Sequence, residues 1–233
     1  MSNPSTPSLE RDSRQRDIIP SDRLADCHAL VIGVGAIGRQ AALQLAALGM
    51  PRLTLIDHDD VRVENLAPQG YLAEDLQALK VDATAALCRR INPEIQVTPR
   101  AERFKRSSVR DLAFGHRQIV FACVDSIATR GLIWEAVRHR AALLLDGRMN
   151  AEVIRVLAVD LPATDRHYPR TLFTAEEAYA GSCTARSTIY TASIAAGLMV
   201  GQMTKWLRGL PVDADFMLNL LAGEWTVATG ATT

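Results

Sequence analysis

The sequence predicts an α/β fold: a Rossmann-like, doubly wound, mostly parallel sheet with an antiparallel C-terminal extension. Three observations predict it. Short apolar runs alternate with helix-period runs from residue 29 to residue 145, as in a parallel sheet with helices on both faces. The first such pair is joined by Gly33-Val34-Gly35-Ala36-Ile37-Gly38, a glycine turn between strand and helix. The alternation then breaks, with a strand-like run at 152–160 that no helix precedes and a terminal hairpin at 216–222 and 225–228 around Gly223-Glu224.

The elements follow in order. Residues 1–15 mix Ser, Pro and alternating charge and read as a disordered tail, leaving 16–233 as a single domain. The run 29–32 is the first strand, and 37–48 is a helix stopped by Gly49 and Pro51. The second strand is 53–56. A long polar connection, 57–77, holds Asn65, Pro68 and Gly70, and connections this long inside a domain are more often functional than idle. A helix at 79–91 buries Val81, Ala85 and Cys88 and ends at Asn92-Pro93. Then come a strand at 95–98, a short helix at 107–114, a strand at 118–122, a helix at 127–139 and a strand at 142–145. The stretch 161–181 is a loop with a short helix at 175–179. The uncharged stretch 187–204 continues as a helix to about 207. Its Ser, Thr and Gln content reads as a buried core or dimer-seam helix rather than a membrane span.

Composition bounds the function. With 233 residues, 48% apolar, the chain can bury a full core. A net charge of zero argues against bulk attraction to nucleic acid or an anionic membrane. The four cysteines form no C-x-x-C pair, so no zinc ribbon is written here, and unpaired cysteines with no apolar leader predict a cytoplasmic protein. Lysine occurs only at positions 80, 105 and 205 in a chain that otherwise uses arginine.

The glycine turn predicts a nucleotide phosphate site. Gly33 allows the tight turn, Gly35 admits a phosphate to the backbone, and Gly38 lets the helix pack on the strand. Amides at the helix start then face the anion. Asp57 ends the second strand at the spacing of a ribose-hydroxyl acceptor. An NAD-dependent oxidoreductase would explain these residues, but not those that follow. Asp57-His58-Asp59-Asp60-Val61 leads to Asn65-Leu66-Ala67-Pro68-Gln69, then Asp75 and Lys80, Ile91-Asn92-Pro93, and the strand-end Asp125.

This order resembles the ThiF/MoeB/HesA family of ubiquitin-activating-enzyme-like adenylyltransferases, in a divergent, non-zinc form. The resemblance covers about residues 16–210. It implies ATP-dependent adenylation of the C-terminal glycine carboxylate of a small ubiquitin-like or sulfur-carrier protein, with Mg²⁺ as cofactor; a peptide or RNA-linked carboxylate is a variant. Lys80 would touch phosphate oxygens, its alternative being a solvated lysine. Asp125 would hold Mg²⁺, or else cap the helix after it. Asp57 would take the ribose, and Asn65 and Gln69 would line the phosphates, with Asn65 as a turn residue the alternative. Arg16, in Arg16-Asp17-Ile18-Ile19, would cross a homodimer interface into the partner's site, or belong to a mobile tail. Cys183, before the long helix, would accept the acyl group as a thioester or join sulfur transfer to a downstream protein. Cys27, Cys88 and Cys123 read as core.

Two departures stand out. Family members usually carry an arginine where this chain has Pro68, so a phosphate contact is lost or comes from Arg39, Arg62 or Arg148. Gln77 replaces the usual glycine before Lys80. A non-catalytic scaffold that binds a ubiquitin-like partner is the remaining alternative.

Overall fold

The computed structural model describes residues 11–110, 117–161, 167–172 and 187–227. One eight-stranded sheet runs in the order β3-β2-β1-β4-β5-β6-β7-β8. The strands are β1 (His28–Ile32), β2 (Arg52–Asp57), β3 (Gln96–Ala101), β4 (Gln118–Ala122), β5 (Leu143–Asn150), β6 (Val153–Asp160), β7 (Asp215–Asn219) and β8 (Glu224–Val227). The first five are parallel, and β6, β7 and β8 are antiparallel. This is the predicted doubly wound sheet with its antiparallel extension.

The helices are α1 (Ser21–Ala25), α2 (Ala36–Leu48), α3 (Val63–Gln69), α4 (Lys80–Ile91), α5 (Ile127–Val137), α6 (His167–Arg170) and α7 (Ile189–Leu207). Side chains alternate across each strand, so β1 sends Ala29 and Val31 to one core and Leu30 and Ile32 to the other. The first core packs α2, α4 and α7 through Ala41, Leu45, Val81, Ala85, Ala195 and Met199. The second packs α5 and the segment of Tyr168 through Ile133, Trp134 and Val137. The uncharged stretch thus becomes α7, whose buried side faces the sheet. No helix among the described residues is long and apolar enough to cross a membrane.

Three local differences from the sequence reading have clear causes. Residues 11–15, assigned from sequence to the tail, cap the end of α2: Arg11 donates to the carbonyls of Ala46 and Ala47, and Gln15 to that of Leu48. These satisfy carbonyls that any helix leaves open at its C-terminus. The polar connection contains α3, too short to show a helical period. The run 142–145 extends to Asn150 because β5 turns directly into β6 at Ala151, at φ 51°. The expected helix at 175–179 and part of that at 107–114 lie outside the described residues.

The glycine turn fixes how α2 meets the sheet. Gly33 has φ 85°, and a Cβ there would lie 2.7 Å from the carbonyl oxygen of Cys123 on the end of β4. A Cβ on Gly38 would fall 1.8 Å from the Gly33 oxygen. At Gly35 a Cβ would meet nothing within 4 Å. The first and third glycines are therefore demanded by packing, and the middle one faces open space.

Gly38→Ala is expected to destabilise the protein by about 3 kcal/mol or more, since backbone meets backbone and neither can yield. Gly35→Ala is expected to cost less than about 1 kcal/mol. Urea denaturation of both checks the contrast. Gln77 sits at φ 70°, in the left-handed region. Gln77→Gly is expected to add about 1 kcal/mol to stability by removing that strain, read in the same experiment.

Candidate active site

The sheet order reverses between β1 and β4, and ligands of open α/β sheets bind in the crevice at such a switch point. The glycine turn leaves β1 on one side of it. Cys123-Val124-Asp125 leaves β4 on the other, with Cys123 donating its amide to the Ile32 carbonyl at 2.8 Å.

Asp57 closes onto the turn. Its Oδ2 accepts the Val34 amide at 2.6 Å and its Oδ1 the Asp59 amide at 2.9 Å. The carboxylate is thus oriented by backbone and keeps acceptor capacity on both oxygens. Tyr71 ties the crossover to the same turn, its hydroxyl donating to the Val34 carbonyl at 2.7 Å.

Lys80 is the first residue of α4 and only 6% exposed, which excludes the solvated-lysine alternative. A cation at a helix N-terminus is unfavourable, and Asp59 offsets it. Lys80 Nζ donates to Asp59 Oδ2 at 3.0 Å, and the Lys80 amide donates to the Asp59 carbonyl at 3.0 Å. Burial would raise the Asp59 pKa, but the hydrogen bond and charge of Lys80 outweigh it and hold that carboxyl below its ordinary value. Two of the three ammonium protons remain to be offered elsewhere.

Asp125 is exposed, just past β4. It is not the helix cap: Ser126 is, its Oγ accepting the Thr129 amide at 3.3 Å. Asn65 does act locally, its Oδ1 accepting the Arg62 amide at 2.9 Å and closing the first turn of α3. Gln69 follows at the end of α3, where its Oε1 is buried without a partner. Asp57, His58 and Asp59 bring one ligand atom each within 4.8 Å of one another.

A buried ionic cluster behind the crevice escapes sequence reasoning. Asp146, fully buried on β5, pairs with Arg130 of α5 and Arg148 of β5. Tyr168 donates its hydroxyl to Asp146 Oδ2 at 2.9 Å. Arg130 also donates to the carbonyls of Ala122, Val124 and Gly147. It therefore clamps the end of β4 to the middle of β5, directly before Asp125. Burial, then the nearby Arg148, pushes the Arg130 pKa down to about 10, which leaves it charged at neutral pH. No spacing in the sequence links positions 130, 146 and 168; only a buried-strand Asp followed by Arg148 hints at a pair.

Other predicted residues lie apart. Arg16 is exposed near the C-terminal end of α2, beside a small cavity lined by Asp12, Gln15, Ile19, Leu24 and Leu48. A thirteen-residue helix separates it from the glycine turn of its own chain, about 18–20 Å. Cys183 lies outside the described residues. Burial pushes the thiols of Cys27, Cys88 and Cys123 up, to about 11, 12 and 12, as core cysteines require. Of the arginines considered as substitutes at Pro68, Arg62 is exposed, Arg148 is held by Asp146 and Thr171, and Arg39 is buried.

Comparison with known proteins agrees with this geometry. The sulfur carrier protein ThiS adenylyltransferase of Escherichia coli is 36% identical over 109 residues, covering 46% of this chain and 43% of that protein. The molybdopterin-synthase adenylyltransferase of Salmonella typhimurium is 34% identical over 115 residues, covering 49% and 46%. The matched region thus spans less than half the length of these relatives. A solved structure of Escherichia coli MccB with ATP shares the fold at a TM-score of 0.70 and 14% identity, covering 89% of this chain and 65% of that one. The ThiF family itself matches residues 13–227, nearly the whole sequence. That match encloses a glycine turn at the switch point, closed by Asp57 and joined through the Tyr71 hydroxyl to the backbone of a buried Lys80, and the chain belongs to the ThiF family.

Proposed function

We propose that this protein adenylates the C-terminal glycine carboxylate of a ubiquitin-like or sulfur-carrier protein, using ATP. The observation that carries the reading is the buried, Asp59-held Lys80 beside a glycine turn that is open at Gly35. Its adenylyltransferase relatives, one of them acting on a sulfur carrier protein, support it.

In this reading the ribose hydroxyls bind Asp57 and the phosphates lie over the amides at the start of α2. The substrate carboxylate oxygen attacks the α-phosphorus, a P–O bond forms, and the bond to the β-phosphate oxygen breaks, releasing pyrophosphate. No proton has to move at the reacting carboxylate, so positioning and charge neutralisation supply the rate. Lys80 turns its remaining ammonium protons to the phosphate oxygens. Asn65 and Gln69 line the α-phosphoryl region, where the orphan Oε1 of Gln69 marks unspent hydrogen-bonding capacity.

Asp125 suits Mg²⁺, which takes few protein carboxylates and completes its shell with phosphate oxygens and water. Its carboxylate is exposed and is not spent on capping α5. When bound, the ion neutralises phosphate charge. Arg16, a helix length from its own site, completes the site of a partner in a homodimer. The protein works in the cytoplasm. Cys183 is the residue to receive the acyl group where transfer follows adenylation, with a conjugating or sulfur-transfer protein downstream.

Lys80→Ala is expected to lower pyrophosphate exchange, driven by a glycine-ended carrier protein, by about 100- to 1000-fold. Wild-type acyl-adenylate formation in that variant would sink the mechanism. Mg·ATP at about 100 times its dissociation constant is expected to stabilise the wild type by roughly 2.7 kcal/mol, whereas a protein stabilised by NAD and not by ATP would be an oxidoreductase. Asp125→Asn is expected to raise the Mg²⁺ concentration needed for half-maximal exchange. For the dimer, equal mixing of Arg16→Ala and Lys80→Ala proteins is expected to restore about a quarter of the wild-type rate, because only mixed dimers hold one intact site. No recovery after subunit exchange would place Arg16 outside the site.

A further inference from the structure

Arg39 has no carboxylate of its own. It closes the first turn of α2, four residues past Gly35, and is 2% exposed. Its Cζ lies 4.5 Å from the centroid of the Tyr71 ring. Its Nη1 is 3.5 Å from where a Cβ on Gly70 would stand, against the end of α3. Nε is buried without an acceptor. Asp75 is near enough to favour the charge, yet its Oδ2 takes the Leu72 amide and no ion pair joins it to Arg39.

The contrast with the other buried cations is plain. Lys80 has Asp59, and Arg130 and Arg148 share Asp146. A buried cation without an anion is costly, and burial depresses the Arg39 pKa accordingly. Such a group persists where an anion arrives to complete it. Its surroundings point to the anion. Tyr71, on whose ring the guanidinium rests, holds the Val34 carbonyl of the glycine turn. Gly70, which the guanidinium touches, adjoins Gln69 with its orphan Oε1. The guanidinium stacks on the ring, and the ring's hydroxyl reaches the turn at the residue before Gly35.

We propose that Arg39 is a polyphosphate-binding residue, its guanidinium receiving the β- or γ-phosphate of the nucleotide whose α-phosphate lies at Gly35. The inference rests on the ATP reading above and adds to it the residue that distinguishes a triphosphate from a monophosphate. Arg39 binds phosphate as a planar donor and acts with Lys80, which approaches from α4.

The test is calorimetric titration of wild type, Arg39→Met and Arg39→Gln with Mg·ATP and, separately, with AMP. Loss of one charged hydrogen-bonding group is expected to weaken ATP binding by about 10- to 100-fold and to leave AMP within about twofold. Arg39→Met without ligand is expected to melt at or above the wild-type temperature, because an unpaired buried charge is gone. Equal losses for ATP and AMP would mean that Arg39 only braces Tyr71, and would overturn the proposal. Unchanged ATP affinity in a folded variant would overturn it too. A wild type that binds neither nucleotide would overturn the ATP reading itself. Should Arg39→Met fail to fold, Arg39→Gln carries the same comparison.

Discussion

The tightest approach at any glycine among the described residues is between backbone and backbone: the α-carbon of Gly38 against the carbonyl of Gly33. That approach seats the first turn of α2 on the end of β1, and Gly33 in turn lies against the Cys123 carbonyl at the end of β4. Two strands and a helix are thereby locked at the switch point with no side chain between them. The Val34 amide goes to Asp57, and the amides after it at the start of α2 are left to face the crevice. In the proposed reading everything offered to a phosphate depends on that lock, because a helix displaced by the width of a methyl group would carry its amides and Arg39 with it.

Charge around this lock is tethered, with Arg39 the exception. Asp57 is held by two amides, and its position follows the turn. Lys80 is held by Asp59 through both side chain and backbone. Arg130 reaches three carbonyls and Asp146, fixing the end of β4 against the middle of β5 before Asp125. Breaking a buried pair of this kind costs about 3–5 kcal/mol, whereas its net contribution against an apolar replacement is small. The Asp146 cluster is therefore better understood as setting where the end of β4 lies against β5 than as a source of stability.

Much of the fold was legible because its signals are local. A strand, a glycine turn and a helix occupy twenty consecutive residues, and the roles of Gly33, Gly35 and Gly38 follow from packing alone. Lys80 stood out by its rarity in an arginine-rich chain, and the structure buries it. What was illegible joins distant segments. Tyr71 meets Val34, Arg130 meets Asp146, and Arg39 meets Tyr71 only after the sheet has formed. Short-range errors have short-range causes. With Pro68 inside it, seven-residue α3 shows no helical period. Ser126, one residue past Asp125, is the better cap because its short hydroxyl reaches the Thr129 amide. The usual glycine at position 77 reflects a positive φ that Gln77 also adopts here, so the turn is kept and the strain accepted.

The proposed adenylation and a following acyl transfer would place opposite demands on a site, and the described residues suit only the first. Adenylation of a carboxylate needs fixed positive charge and aligned amides, which a rigid sheet edge supplies. Transfer to sulfur needs a thiolate, and thiolates form where a thiol is exposed or faces positive charge. Cys123 stands next to the glycine turn, yet burial drives its thiol up to about 12 despite the nearby Arg130. Cys27 and Cys88 are pushed the same way. Among the described residues, then, the crevice suits the proposed activation of a carboxylate, and burial keeps the thiol of Cys123 beside it from ionising readily. In the proposed reading, a thiol that takes the acyl group would be Cys183, which lies outside the described residues, or one on another protein.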